Sequence, residues 1–162
     1  MSTVLAGSHI PVLVKIMERI DKPVLELGIG YNSTPLLHWM CKEKDVNLHS
    51  YESDPEWLNK FLEFETENHI LTSFDFSKII PINVGDWGLV FIDHRPAYKR
   101  KYSALHFKDT ADYIVLHDSE QGKPYSYKKI YDQFKYIYEY KKCGKPYTVV
   151  LSNRKDLSWL KS

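Results

Sequence analysis

Short apolar runs that alternate with segments of helical periodicity are the feature that most constrains how this chain can fold. Runs of strand character cover residues 24–27, 46–51, 70–73, 88–92 and 113–116. Helical patterns cover residues 10–20 and 55–66, and further helices begin near Ser33 or Thr34 and near Arg100. Strands that lack polar alternation are buried on both faces, which is typical of a parallel sheet covered by helices on each side. The pattern therefore predicts a doubly wound α/β fold, with irregular chain from the third strand to residue 84.

The C-terminal third departs from this alternation. A short helix is predicted at residues 127–131, and two further strands at 134–140 and 147–151 are joined through a Gly-Lys-Pro turn. Such a hairpin adds an antiparallel strand at the edge of a sheet. We therefore predict a single domain over residues 1–162 that is Rossmann-like, with a mostly parallel sheet and an antiparallel C-terminal edge hairpin.

Composition argues against several classes of protein. The 22 basic and 21 acidic residues give a formal net charge of +1, so the chain lacks the basic excess of a protein that wraps nucleic acid. The two cysteines are too few for a disulfide framework or a four-cysteine zinc site. No run approaches the roughly 20 apolar residues that span a bilayer, and residues 1–7 lack a signal-peptide pattern. We therefore expect a cytoplasmic protein without a membrane partner, and the charge argues against a nucleic-acid partner, although it leaves a local basic patch open.

A glycine bend follows the first predicted strand, in the segment VLELGIG. Gly28 and Gly30 allow a sharp turn and close approach of a ligand, and Ser33 and Thr34 open the next helix. We predict that these four residues bind the cofactor. Glu26 stands just before the bend, where its carboxylate would repel a pyrophosphate but attract a positively charged sulfonium nucleoside. The bend therefore favours S-adenosylmethionine over NAD, and the alternative is that Glu26 caps a helix.

A second acid, Glu52, ends the second strand. A carboxylate at this point can accept hydrogen bonds from both ribose hydroxyls of a nucleoside. Asp54 competes for the role, but it precedes Pro55 and is typical of a helix N-cap. The sequence therefore favours Glu52 as the residue that binds ribose.

These motifs resemble those of the class I S-adenosylmethionine-dependent methyltransferases. The likeness rests on ELGIG, STP, Glu52, VFIDH and IVLHD, in order, and covers residues 24–153. The strings STPLL, IDHRP, VLHDSE and VLSN are similar to a group of small, poorly characterised methyltransferases. The family has a third glycine where this chain has Asn32. The resemblance implies that an acid after the third strand contacts adenine; Asp75 is the candidate, and the alternative is an ordinary loop residue.

Two acid–histidine pairs, Asp93-His94 and His117-Asp118, end the fourth and fifth strands. Carboxyl ends of adjacent parallel strands meet at one edge, so these groups are expected to lie close together. They offer a general base for a hydroxyl acceptor or the ligands of a divalent metal. We predict Asp93, His94 and Asp118 as catalytic, whereas strand alternation predicts that His117 points away from Asp118. The alternative for each residue is a scaffold role.

A metal remains a hypothesis without an assigned ligand set. Asp93-His94 followed by Asp118-Ser119 is similar to the catechol-type O-methyltransferases, in which such acids bind magnesium, but the family's usual Asn is Ser119 here. Without a metal, the carboxylates are expected to pair with Arg95 or Arg100 or to cap the next turn. The basic segment from Arg95 to Lys101 is a further candidate to bind a phosphate or carboxylate of the acceptor.

We therefore predict an enzyme that transfers a methyl group from S-adenosylmethionine to an oxygen of a small polar or sugar-like acceptor. Two alternatives stay open: a module that binds the cofactor or a nucleoside without catalysis, and a nucleic-acid methyltransferase. The second lacks the Asp/Asn-Pro-Pro-aromatic motif after the fourth strand. The short chain offers no inserted segment for selecting the acceptor, so a homodimer is predicted. Ser8 and His9 are further candidates to cover the cofactor.

Overall fold

A computed structural model of the chain describes residues 7–78, 80 and 85–162. The expectation about a signal peptide concerns residues 1–7 and therefore falls almost entirely outside the described residues. Part of the predicted irregular chain before residue 85 also falls outside them.

Seven strands form one sheet in the described part of the chain. They are β1 (Val24–Leu27), β2 (Leu48–Glu52), β3 (His69–Ser73), β4 (Trp87–Ile92), β5 (Ala111–His117), β6 (Tyr136–Tyr140) and β7 (Thr148–Ser152). Their order is β3-β2-β1-β4-β5-β7-β6. The first five are parallel, and β7 runs antiparallel between β5 and β6. This confirms the predicted Rossmann-like fold, in which the hairpin supplies an antiparallel strand next to the edge.

Four α-helices connect the strands in the same part of the chain: α1 (His9–Met17), α2 (Ser33–Lys44), α3 (Pro55–Asn59) and α4 (Arg100–Phe107). α3 is shorter than the predicted helix over 55–66, because Phe61 leaves the helix and packs into a small apolar cluster. Asp54 caps α3 as expected, since its carboxylate accepts hydrogen bonds from two backbone N–H groups of the first turn. No helix of the described chain is long and apolar enough to cross a membrane.

Alternate residues of the central strands face two different apolar cores, as strand geometry requires. Val24 and Phe91 pack on one face with residues of α1 and α2. Leu25 and Ile92 pack on the other face with residues of α4. Because side chains of a strand alternate, Glu26 shares the face of Val24 and lies beside α2. Both faces are thus closed, and polar groups reach solvent mainly at the strand ends.

Candidate active site

The carboxyl ends of β1 and β4 lie side by side at the centre of the sheet. Gly28 follows β1 with a φ of +100°, which L side chains rarely adopt. A Cβ at this position would lie 2.6 Å from the backbone C of Asp93 and the backbone N of His94. Only glycine therefore lets the turn pack onto the end of β4. Gly30 differs, since a Cβ there would come within 3.6 Å of Ser33 Oγ without a clash.

Glu26 lies beneath this turn and is fully buried. Its carboxylate accepts hydrogen bonds from Ser33 Oγ at 2.6 Å, Ser50 Oγ at 2.6 Å and Thr34 Oγ1 at 2.9 Å. Burial raises the pKa of Glu26 to about 7, although the three hydroxyls act in the opposite direction. The predicted cofactor-binding role of Glu26, Ser33 and Thr34 stays a prediction, and their buried side chains would exert it through the turn. Their side chains point into the protein and fix the turn from below.

Glu52 holds the outer side of the same turn. Its Oε2 accepts a hydrogen bond from the backbone N of Ile29 at 3.0 Å. Its Oε1 accepts from the backbone N–H groups of Ser53 at 2.7 Å and Asp54 at 2.9 Å. Trp57 completes the arrangement, because its Nε1 donates to the backbone O of Ile29 at 2.8 Å. Unlike Glu26, Glu52 lines an open cavity.

Arg100, at the start of α4, ties the ends of β4 and β5 together. Its Nη1 lies 2.9 Å from Asp93 Oδ1 and 2.9 Å from Asp118 Oδ2. Its Nε and Nη2 donate to the backbone oxygens of His94 and Asp93. The Asp93 and Asp118 side chains remain 30% and 20% exposed, whereas that of Arg100 is 5% exposed. The sequence predicts that these carboxylates pair with an arginine if no metal binds. The guanidinium of Arg100 is therefore engaged within the protein.

His117 joins this cluster, contrary to the prediction from strand alternation. Its Nδ1 lies 3.5 Å from Asp93 Oδ2 and 3.7 Å from Asp118 Oδ2. The two side chains meet because Asp118 has a left-handed φ of 62°, which turns its carboxylate back past the strand end. Burial lowers the pKa of His117, but the two carboxylates outweigh it and raise the pKa overall. Burial likewise opposes ionisation of Asp93, yet His117 and Arg100 hold its pKa below the usual value.

His9 lies behind His117 rather than over a ligand. Its ring stacks on Phe91 with centroids 5.0 Å apart and meets His117 edge-on at 4.7 Å. Among the described residues, neither ring nitrogen of His9 has a hydrogen-bond partner. Burial, reinforced by His117, lowers the pKa of His9 to about 4, so the ring is neutral at physiological pH. The structure thus gives His9 a packing position beneath the acid–histidine cluster.

His94 points away from the cluster. Its ring stacks on Phe76, with centroids 4.0 Å apart and planes 8° apart. Its Nε2 lies 2.8 Å from Ser103 Oγ. Burial lowers the pKa of His94 to about 3, which makes the ring a poor base. His94 nevertheless lines the same cavity as Glu52 and Asp93, and its catalytic role stays a prediction.

Two adjoining cavities, together called the cleft, open at this edge of the sheet. One cavity of about 340 Å³ follows the turn and is lined by Ile29, Glu52, Ser53, Asp54 and Trp57. The other, of about 740 Å³, is lined by Asp75, Asp93, Arg100, His117, Asp118 and Tyr125. Asp93 lines both, as do Ser53 and Arg95, so the cavities adjoin. Asp75 is exposed at the rim, where hydrogen bonds from Ser77 lower its pKa.

The acid–histidine cluster does not suit a divalent metal. Asp93, His117 and Asp118 offer ligand atoms within 4.8 Å of one another. However, Arg100 Nη1 already lies 2.9 Å from both carboxylates, and a second cation there would be repelled. The Oγ of Ser119, the remaining member of the expected metal pattern, donates instead to a glutamate of β6 at 3.1 Å.

Two tyrosines of the site were not anticipated. Tyr125 lies over the Arg100 guanidinium, with 5.1 Å from Cζ to the ring centroid. The Tyr127 hydroxyl donates to the backbone O of His117 at 2.9 Å. Their spacing in the sequence carries no signal of this contact. It arises only when the chain after β5 folds back over α4.

Comparison with known proteins supports the fold. No protein-family model and no curated protein matches the sequence. The methyltransferase domain of METTL16 matches with a TM-score of 0.65, 13% identity, and coverage of 96% of this chain and 70% of its own. The 23S rRNA methyltransferase ErmE matches with a TM-score of 0.57, 18% identity, and coverage of 90% and 68%. M. capricolum TrmK, in complex with S-adenosyl-homocysteine, matches with a TM-score of 0.57 and 11% identity. The match covers 98% of this chain and 71% of TrmK. The chain has the fold of the class I S-adenosylmethionine-dependent methyltransferases.

Proposed function

We propose that this chain transfers the methyl group of S-adenosylmethionine to a hydroxyl oxygen of a small polar, sugar-like acceptor in the cytoplasm. The observation that carries the proposal is that Glu52 and Asp93 line the same cavity of the cleft. The cleft lies beyond the carboxyl ends of the central strands, where open α/β sheets bind ligands. One carboxylate suits the ribose of a nucleoside, and the other suits an acceptor that carries a proton.

Glu52 is the residue proposed to hold the ribose hydroxyls. Its Oε1 is occupied by two backbone N–H groups, but within the described chain its Oε2 accepts only from Ile29. A carboxylate oxygen has two lone-pair sites, so Oε2 keeps one acceptor position beside the cavity. Gly30 adds a stretch of backbone that no Cβ covers. When bound, S-adenosylmethionine supplies an electrophilic methyl group on a positively charged sulfur.

The charge of the cleft favours such a sulfonium nucleoside over a dinucleotide. The carboxylates and guanidinium groups that line it belong to Glu52, Asp54, Asp75, Asp93, Asp118, Arg95 and Arg100. Five carboxylates against two guanidinium groups attract a cation and repel a pyrophosphate. Glu26 contributes from beneath the turn rather than by contact, and Asp75 is proposed to meet the adenine amino group from the rim.

Asp93 is proposed to accept a hydrogen bond from the acceptor hydroxyl. It faces the cleft, but its lowered pKa makes it a weak base, so it orients the hydroxyl. The hydroxyl proton passes by way of Asp93 Oδ2 to the bare Nδ1 of neutral His117, 3.5 Å from that oxygen, so the O–H bond that breaks is replaced by an Nδ1–H bond. Asp118 and Arg100 fix this pair in place. A hydroxyl needs such help because it must lose its proton, whereas a neutral amine already has a free lone pair.

Calorimetry tests cofactor binding. We expect S-adenosylmethionine to bind and NAD not to bind. Glu52→Ala should weaken S-adenosylmethionine binding by about 1–3 kcal/mol, the effect of leaving a buried group without its partner. Glu56→Ala, an exposed acid on the neighbouring turn of α3, is the matched control and should leave the affinity unchanged. Equal binding by the Glu52 variant, or tighter binding of NAD, would remove the basis of the proposal.

A radiolabelled methyl-transfer assay with a panel of polyols and sugars tests catalysis. We expect Asp93→Asn to lower turnover about 100-fold or more, with cofactor affinity largely retained. Turnover by the wild type should rise with pH above 6.5, because His117 must lose its proton to act as a base. His117→Gln should abolish that rise. Unchanged turnover in the Asp93 variant would reject its assigned role.

Methylation of RNA is a second candidate, because one matching structure is a 23S rRNA methyltransferase. Transfer of label to RNA transcripts, with an affinity that falls steeply as salt rises, would favour it over a small acceptor. Cofactor binding without turnover on either panel would instead identify a binding module.

A homodimer is also proposed, with the second copy helping to select the acceptor. Light scattering at micromolar concentration should then give about twice the mass of the 19.1 kDa chain. A monomer in that measurement would contradict this part of the proposal.

A further inference from the structure

The buried Glu26 belongs to a hydrogen-bonded chain that the proposed reaction does not use. Ser50 Oγ donates to Glu26 Oε2 at 2.6 Å and lies 2.9 Å from His69 Nε2. His69 Nδ1 lies 2.9 Å from His38 Nδ1. The four residues come from β1, β2, β3 and α2, and all are buried. We call Glu26, Ser50, His69 and His38 the buried relay.

The relay connects the turn with a different surface of the protein. His38 and His69 line a pocket of about 200 Å³, together with Thr66 and Glu67. This pocket shares no lining residue with the cleft. One end of the relay therefore reaches solvent at His38, and the other ends beneath the glycine turn.

Counting hydrogens fixes the direction of each bond when Glu26 is charged. The carboxylate then accepts the single hydroxyl hydrogen of Ser50, so Ser50 Oγ must accept from His69 Nε2–H. A neutral His69 is left with a bare Nδ1, which accepts from His38 Nδ1–H. Burial lowers the pKa of His69 to about 4 and also lowers that of His38, so both rings are neutral at physiological pH.

Every bond of the relay reverses when Glu26 carries a proton on Oε2. Glu26 then donates to Ser50, Ser50 donates to His69 Nε2, and His69 Nδ1–H donates to His38 Nδ1. A neutral His38 in this state carries its hydrogen on Nε2. The two states differ by one proton, which is gained from the pocket and appears on Glu26.

We propose that the buried relay conducts a proton between the pocket at His38 and Glu26, so that solvent pH sets the charge beneath the glycine turn. A proton from water bonds to His38 Nε2 while the His38 Nδ1–H bond breaks and a His69 Nδ1–H bond forms. The His69 Nε2–H bond breaks as a new Ser50 Oγ–H bond forms, and Ser50 passes its original hydrogen to Glu26 Oε2. No electron is transferred, and His38, His69 and Ser50 act as positioning residues for Glu26.

The groups around Glu26 favour titration near neutral pH. Burial is the main cause of its raised pKa of about 7, and the charge of Asp93 on β4 raises it further. Cys41 on α2 faces the same acid, but burial raises the pKa of its thiol to about 12, so the thiol stays neutral. The proton that enters the relay therefore comes to rest on Glu26.

The groups around the two histidines keep them neutral. After burial, Lys42 on α2 further lowers the pKa of His38, and His38 and His49 further lower that of His69. The backbone of Phe64 raises the pKa of His69 but does not outweigh these causes. Glu67 lines the pocket at the solvent end. The histidines thus pass a proton on without holding a charge of their own.

The charge of Glu26 bears on the turn above it. Ser33 and Thr34 donate to this carboxylate, and hydrogen bonds to a charged acceptor are about twice as strong as those to a neutral one. The turn is therefore held more firmly above the midpoint of the titration than below it. The effect on S-adenosylmethionine rests on the proposed function, whereas the relay does not.

Nitrogen-15 NMR of the histidine rings tests the relay without any ligand. Between about pH 5 and about pH 9, we expect His38 and His69 to exchange tautomers together, with one shared midpoint near the Glu26 pKa of about 7. His49, which lies outside the relay on β2, is the internal control and should not follow that midpoint. Separate midpoints for the two rings, or fixed tautomers throughout, would overturn the proposal.

Glu26→Gln sharpens the test because its amide mimics the protonated acid. Its NH₂ group donates to Ser50, so His69 should stay in the Nδ1–H tautomer at every pH. His49→Gln is the matched control variant and should leave the shared transition intact. A Glu26→Gln protein that still switches tautomers would overturn the relay, and the wild-type titration stands on its own if this variant fails to fold.

Calorimetry across the same range separates the relay from the proposed function. We expect the affinity of the wild type for S-adenosylmethionine to fall about fivefold from about pH 8 to about pH 6, as follows if binding lowers the Glu26 pKa of about 7 by about one unit. Glu26→Gln should show no such fall. A coupled tautomer switch without any S-adenosylmethionine binding would sustain the relay and refute the proposed function. Binding independent of pH, beside an intact switch, would refute the effect on the turn.

Discussion

Glu26 and Asp93 stand at the ends of neighbouring strands, yet their surroundings shift their pKa values in opposite directions. Glu26 is buried among three neutral hydroxyls, and its pKa rises to about 7. Asp93 meets a guanidinium and an imidazole, and its pKa falls despite burial. The difference shows that hydroxyl groups satisfy the geometry of a buried carboxylate without compensating its charge.

The two acids therefore affect stability at opposite ends of the pH range. Because the folded pKa of Glu26 is raised, its contribution is full below its usual value of 4.5 and is lost as the pH rises through about 7. Because the folded pKa of Asp93 is lowered, its contribution is present above 3.8 and is lost as the pH falls further. Folding thus favours the protonated form of Glu26 and the charged form of Asp93.

Gly28→Ala should have the largest effect, because Gly28 joins the two strand ends. A Cβ would collide with the backbone of Asp93 at a left-handed φ, so we expect a loss of about 3–5 kcal/mol in the free energy of unfolding. Urea denaturation measures it. Gly144→Ala is the control, since Gly144 also has a positive φ but no atom within 4 Å of an added Cβ. A similar loss in both variants would mean that the contact between strand ends contributes nothing.

Arg100→Met should have the second largest effect on the free energy of unfolding. It removes the neighbouring positive charge that Asp93 has and Glu26 lacks. The variant leaves two carboxylates facing each other without a cation, and we expect a loss of about 3 kcal/mol near neutral pH. The pKa of Asp93 should rise, which carboxyl-carbon NMR can follow. Lys101→Met, on the next position of α4, should change the free energy of unfolding by less than about 0.5 kcal/mol. An unchanged Asp93 pKa would contradict our explanation of the comparison.

His117→Gln should have the smallest effect, and its sign depends on pH. The folded pKa of His117 is raised, so its contribution is full below 6.5 and is lost as the pH rises through the folded value. We expect a loss of about 1–2 kcal/mol at about pH 6 and a smaller loss at about pH 9. Urea denaturation at both values measures the difference. A loss of free energy of unfolding that grows with pH would contradict a stabilising positive charge on the His117 imidazole.

The fold was predictable because strand length, apolar continuity and turn residues are local signals. The segments at residues 88–92 and 113–116 contain little besides apolar residues, and the structure buries both within β4 and β5. The end of α3 was not predictable, since Trp57, Leu58, Phe61 and Leu62 keep helical spacing after the helix stops. The end of α3 depends on the apolar cluster into which Phe61 packs, and that cluster brings together residues that are distant in the sequence.

The site was predictable in its location but only partly in its orientation. The acids after β2, β4 and β5 border the cleft, as parallel strands require. The inward direction of Glu26 had a signal that was not used, since it alternates with Leu25 and Leu27, and Ser50 lies opposite it on β2. The sequence carries no signal that the Asp118 carboxylate turns back toward His117, because a positive φ at a non-glycine residue is fixed by long-range packing.

The engagement of Arg100 determines which molecules can enter beside it. Its N–H groups already bind two carboxylates and two backbone oxygens. Because these internal partners occupy the guanidinium, it is a poor binding group for an anionic metabolite. When His117 is neutral, Asp93, Asp118 and Arg100 together carry one net negative charge. If the proposed function is correct, this charge favours an uncharged polyol over its phosphorylated counterpart at the Arg100 side of the cleft.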